Sequence, residues 1–212
     1  MLLEPNPPEF PAPWAVAWGE DLYGLWQAFE IEGVRQVMRW IVPGRFLMGS
    51  PHDEEGRFNS ELQHELTLSN GFWLAETACS QALWRAVTGG NPSRFTGHED
   101  FPVENVSWND CRDFINLANE HLETELALRL PTEAEWEYAC RAGTTTAFNF
   151  SGELDLERSN YRGIWEWRGV EWAEGARHST GRVKKHSCNR WGLYQMQAMF
   201  GSGARTGMES TG

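Results

Sequence analysis

Basic charge is what this chain is short of. Eighteen Lys and Arg stand against 30 Asp and Glu, a formal net charge of −12 over 212 residues. Nucleic acid and anionic membrane surfaces are both met through basic patches, so neither is expected as a partner. The one basic run, Arg182-Val183-Lys184-Lys185, is short and reads as a solvated edge. Cysteine is sparse too. Cys79, Cys111, Cys140 and Cys188 lie far apart, with no CxxC and no zinc-finger spacing. Cys111 and Cys140 fall inside helical patterns, where an unpaired cysteine behaves as a small buried hydrophobe. No apolar run is long enough to span a bilayer. The opening MLLEPNPPEFPAPW has no basic region ahead of an apolar stretch, so no signal peptide is expected and the chain reads as cytoplasmic. A G-x-S-x-G elbow, a Walker motif and a Rossmann fingerprint are all missing, which removes three common enzyme classes.

Tryptophan and glycine are plentiful instead, at 12 and 21 residues. Trp brings large buried area and an N–H that needs a partner, while Gly brings turns. With 41% hydrophobic and 23% charged residues, the chain reads as one soluble domain, loop-rich and pinned by aromatics. Trp108, Trp136 and Trp191 are expected in its core.

Residues 1–14 are rich in proline and are expected to be extended and mobile. Residues 15–35 give no clear assignment and are grouped with them as an N-terminal extension. Alternation predicts strands over Gln36–Ile41, Arg45–Ser50, Glu65–Leu68 and Gly71–Leu74. Residues 51–61 form an acidic surface loop. A helix is expected from Ser80 to Val87, ended by Gly89-Gly90-Asn91-Pro92, and a second from Ser107, with Asp110 at the capping-box position and Cys111, Phe114, Ile115 and Ala118 inward.

The third helix carries the most information. In Leu130-Pro131-Thr132-Glu133-Ala134-Glu135-Trp136-Glu137-Tyr138-Ala139-Cys140-Arg141-Ala142-Gly143, Thr132 is an N-cap and Glu135 completes a capping box three residues on. Trp136, Ala139 and Cys140 share a face. Glu133, Glu135 and Glu137 sit in the first turns, where carboxylates complement the helix dipole, so their clustering is read as structural.

The wording of that segment, RLPTEAEWEYACRAG, closely resembles the hallmark of the formylglycine-generating enzyme (sulfatase-modifying factor) family. Other blocks match in order: Gly44 to Ser50, Phe72 to Thr77, Asn91-Pro92-Ser93, Pro102 to Trp108, Ser159-Asn160-Tyr161 and Asn189 to Tyr194. The resemblance covers residues 36–197. It implies an α+β fold, a variant of the C-type lectin fold, with two main helices and much irregular chain.

Family members continue after WGLYxM with a segment like HGNVWEWCxDWY. Here residues 197–212 read QAMFGSGARTGMESTG, without strand or helix period. Back-translated with suitable synonymous codons and read from the last base of the Gln197 codon, they spell GNVWEWCQDWYGEYG. One base lost near codon 197 is therefore expected, making 198–212 an out-of-frame tail and the domain incomplete at its C-terminus. The gene sequence downstream of that codon decides this.

The resemblance implies an ancestral activity, the oxidation of a cysteine to formylglycine in a partner polypeptide such as a sulfatase. In the family's oxidases two cysteines bind copper, thiolate and Cu(I) both being soft. Those cysteines follow the point where this sequence departs, and none of its four can be carried over to the role. Copper is not expected, and this polypeptide is expected to be inactive as an oxidase. A second branch uses histidines in a His-x3-His-x-Glu pattern. His52, His64, His98, His121, His178 and His186 do not follow it and read as surface residues. Calcium is possible: Asn160 and the carbonyl of Tyr161 match one family site, and Glu174 is a candidate further ligand, hard oxygen donors for a hard cation. A different class, a non-catalytic lectin-like module binding a protein or small ligand, is the alternative.

Overall fold

The computed structural model describes residues 4–54, 57, 59–122, 127–146 and 181–196. Its centre is a four-stranded antiparallel sheet of β1 (Ala17–Asp21), β2 (Gly24–Ile31), β3 (Val34–Ile41) and β6 (Phe72–Ala75), in the order β1-β2-β3-β6. A second, two-stranded sheet pairs β4 (Gly44–Met48) with β5 (His64–Leu68). Three helices follow: α1 (Gln81–Thr88), α2 (Trp108–Leu122) and α3 (Glu133–Arg141). The architecture is α+β, as the sequence implies.

Residues 17–31, where the sequence patterns give no assignment, supply half of the main sheet. For β2 the reason is coverage on both faces, which erases the in–out alternation that marks a half-buried strand. Its connection to β3 is the pair Glu32-Gly33, both with positive φ (48° and 76°), the geometry of a tight hairpin turn. One face of the sheet carries Phe29, Ile31 and Met38, which join Leu83 and Val87 of α1 and Ala118 of α2 in a buried cluster. Trp84 stacks on Phe114 at 4.8 Å and locks α1 to α2. The opposite face carries Ile41, which joins Tyr138 and Ala139 of α3 with Leu193 and Met196. The sheet is thus a wall between two cores.

The helix starts are where the sequence places them. Ser80 accepts from the Leu83 amide at 3.2 Å, and Gly89 closes α1 in the left-handed conformation. Ser107 and Asp110 exchange backbone and side-chain bonds ahead of α2, at 2.7 and 3.2 Å. Thr132 and Glu135 form a complete capping box on α3. Each such cap is worth about 1 kcal/mol.

Three expectations are corrected. Trp108 is 46% exposed and carries Arg112 over its ring, because it opens α2 on the solvent side. His186 is buried, not a surface residue. Residues 4–14 are irregular but fastened to the sheet, through contacts described below. No helix among the described residues is long and apolar enough to cross a membrane.

Candidate functional site

The densest set of ionisable and nucleophilic groups among the described residues gathers where the segment 181–196 crosses the sheet. Glu76, just past the end of β6, is its hub. Its amide donates to the Val37 carbonyl at 3.0 Å, and its carbonyl accepts from the Tyr194 amide at 2.8 Å. That fixes the side chain at the sheet, 3% exposed, against Arg39 of β3. Arg39 Nε and Nη2 each lie 3.0 Å from Glu76 Oε2. Arg39 Nη1 reaches Asp21, at the end of β1, at 2.7 and 2.9 Å. Lys184 closes the network by donating to the second oxygen of Glu76. The buried pair Arg39 and Glu76 is thus compensated by Asp21 and Lys184 at its more exposed edges, the condition for burying charge at tolerable cost.

Around this network lie three further groups. The Arg39 guanidinium stands over the Tyr23 ring and the Lys184 ammonium over the Tyr194 ring, at 5.6 and 5.3 Å. The Cys188 thiol lies close enough to both tyrosine side chains to affect their phenols. Gly192 (φ +75°) lies so close that a β-carbon there would stand 2.9 Å from Tyr23 and 3.0 Å from Arg39. Asn189 ties the same segment to α3 through the Ala139 carbonyl, at 2.8 Å.

The electrostatics follow from these contacts. The Arg39 hydrogen bond holds the Asp21 carboxyl below its ordinary value. Burial alone would pull the Arg39 guanidinium down, but Asp21 and Glu76 together hold it up. Cys188 pushes the Tyr23 phenol up, and burial followed by Cys188 does so for Tyr194. Elsewhere Glu135 is held low by Arg129, and Asp110 by Ser107. A carboxyl whose folded value lies below its unfolded one stabilises the fold above the unfolded value and loses that contribution as pH falls through the folded one. Stability in urea is expected to be level between pH 7 and about 5, then to fall steadily below about pH 4. Continued stability at pH 2.5, measured by urea melts, would contradict the three assignments.

Burial pushes Cys79 and Cys140 up to about 12, and pushes Cys111 up as well. The Cys140 thiol donates to the Met196 carbonyl and the Cys79 thiol to the Ser80 carbonyl. All four cysteines are free. Among the described residues no three His, Cys, Asp or Glu side chains converge as metal ligands. Asn160, Tyr161 and Glu174, the calcium candidates, lie outside the described residues, as does His178.

Sequence reasoning missed Glu76, Arg39 and Lys184. A signal existed for the first two, a charge interrupting the apolar strands VMRWI and FWLAET. Nothing in the local pattern marks Lys184, whose role depends on a fold-back of more than 100 residues.

An α+β domain built on this wall of antiparallel strands, with capped helices on either side, defines the class. The chain matches the description "Sulfatase-modifying factor enzyme 1-like domain" over residues 29–198 and belongs to that family. It is 37% identical to the formylglycine-generating enzyme of Streptomyces coelicolor over 116 residues, 53% of this chain and 34% of that protein. It is 28% identical over 146 residues to the inactive C-alpha-formylglycine-generating enzyme 2 of Bos taurus, covering 67% and 44%. Treponema denticola variable protein 1 has a similar fold, with TM-score 0.64, 24% identity, and 80% and 72% of the two chains covered. The chain spans from 33% to 60% of the length of the curated relatives it matches.

Proposed function

We propose that this chain is a formylglycine-generating-enzyme-type domain that does not itself carry out the ancestral reaction, oxidation of a cysteine in a polypeptide such as a sulfatase. One observation supports this above others: Cys79 and Cys140 each donate to a backbone carbonyl from within the packing, where burial pushes both thiols up. The departure of residues 197–212 from the family pattern points the same way. What the domain retains is a lectin-like scaffold able to present a binding surface.

The test is oxygen consumption by the purified chain with Cu(I) and a cysteine-containing sulfatase-motif peptide. Uptake is expected to equal that of peptide and copper alone. Uptake above that background, accompanied by aldehyde on the peptide, would overturn the reading.

A further inference from the structure

The segment 4–14 holds half of the chain's ten prolines and lies on the α1–α2 side of the main sheet. It is held by contacts to the backbone and rings of this irregular, proline-rich stretch. The Trp40 indole Nε1 donates to the Pro5 carbonyl at 2.7 Å. Phe10 stacks on Trp73 with ring centres 6.1 Å apart, and Trp14 meets the same ring edge-on at 6.5 Å. Trp40 and Trp73 are direct cross-strand partners, 5.2 Å apart, and form the floor. Gly71 gives the Trp40 ring its room, since a β-carbon there would stand 2.3 Å from the indole. At the far end Gln27, fully buried, accepts from the Ala12 amide at 3.0 Å through Oε1. Its Nε2 has no hydrogen-bond partner among the described residues.

A tryptophan N–H aimed at a carbonyl in a proline-rich stretch, beside a flat aromatic floor, is the physical basis on which grooves recognise proline-rich peptides. We propose that the Trp40–Trp73 floor with Gln27 is a docking site for a proline-rich polypeptide, occupied here by the chain's own segment. Tethering makes that segment a strong competitor, at an effective concentration of about 1 mM. A partner gains access when the segment's own anchor is weakened. The orphaned Gln27 amide offers such a partner one more carbonyl contact than the chain's own segment makes.

The test uses the full chain and a labelled synthetic peptide of residues 4–14, followed by fluorescence anisotropy. Phe10→Ala removes an anchor that belongs to the segment and leaves the floor intact. The peptide is expected to bind this variant at least ten-fold more tightly than the unmodified chain. Adding Trp40→Phe, which keeps a ring and deletes the donor, is expected to weaken binding at least five-fold, with thermal melts confirming that both variants fold. Equal affinity for the unmodified and Phe10→Ala chains would overturn the proposal. So would equal binding of a peptide with its prolines changed to alanine. A concentration-dependent dimer of the Phe10→Ala chain that the peptide fails to dissociate would assign the floor to a second copy and overturn the partner proposed here.

Discussion

Glu76→Ala is expected to destabilise the protein by about 3–5 kcal/mol, the cost of removing one member of a buried ion pair and leaving the other uncompensated. Arg39 is the residue left behind. It is 9% exposed and keeps only Asp21, whose carboxylate is itself 39% exposed. The loss is a large share of the roughly 5–15 kcal/mol that stabilises an ordinary domain. The melting midpoint is expected to fall by about 10 °C or more. Lys184→Ala separates the two halves of the network. Lys184 is half exposed, so its pair with Glu76 is expected to matter by about 1 kcal/mol or less. Amide exchange at Tyr194, whose N–H donates to the Glu76 carbonyl, reports whether the segment 181–196 loosens in either variant. A Glu76→Ala loss no larger than that of Lys184→Ala would show the carboxylate to be hydrated, and the network to be a surface feature.

That network marks the boundary of what the sequence discloses. The three helices are legible to within a residue or two because their signals are local. Ser80, Ser107 and Thr132 each bond an amide or side chain three residues ahead, and the pattern is complete within one turn. Strands β3 to β6 are legible from their apolar runs and the Pro43-Gly44 turn. Strands β1 and β2 are not, because β2 is covered on both sides by elements far along the chain. The role of the proline-rich segment is hidden for the same reason: proline content announces extension, while the partner indoles come from β3 and β6. Trp108 shows the converse error. A tryptophan at the start of a capped helix invites a core assignment, yet the first turn of α2 faces outward, with Ala118 the residue that α2 buries. The candidate site follows the same logic. The apolar strands betray Glu76 and Arg39 by the charge they carry, whereas Lys184 and Cys188 reach them only through tertiary folding.

Gly49→Ala is the second substitution expected to have a large effect, about 3 kcal/mol or more, and its cause is backbone geometry. Gly49 ends β4 with φ +87°. An L-residue in that region costs about 1–2 kcal/mol through its own β-carbon. Here the β-carbon would also stand 2.7 Å from the Leu62 carbonyl oxygen and 2.9 Å from its carbon, backbone atoms that cannot swing aside. Relieving the overlap means moving the 61–63 segment, which Ser50 holds through the Glu61 carbonyl and carboxylate at 3.2 and 2.7 Å. It also moves the Gly49 amide and carbonyl away from Glu137 and Arg141 of α3, now at 2.9 and 2.8 Å. One methyl group thus strains the turn and loosens the anchor of the helix. Gly24→Ala provides the control. Gly24 has φ +101° but no atom within 4 Å of its notional β-carbon, so it carries the conformational cost alone. Chemical denaturation of both variants is expected to place Gly24→Ala about 1–2 kcal/mol below the unmodified protein and Gly49→Ala at least about 1 kcal/mol lower still. Equal losses would mean that the Leu62 carbonyl yields freely, and that the junction of β4 with α3 is not the rigid contact described here.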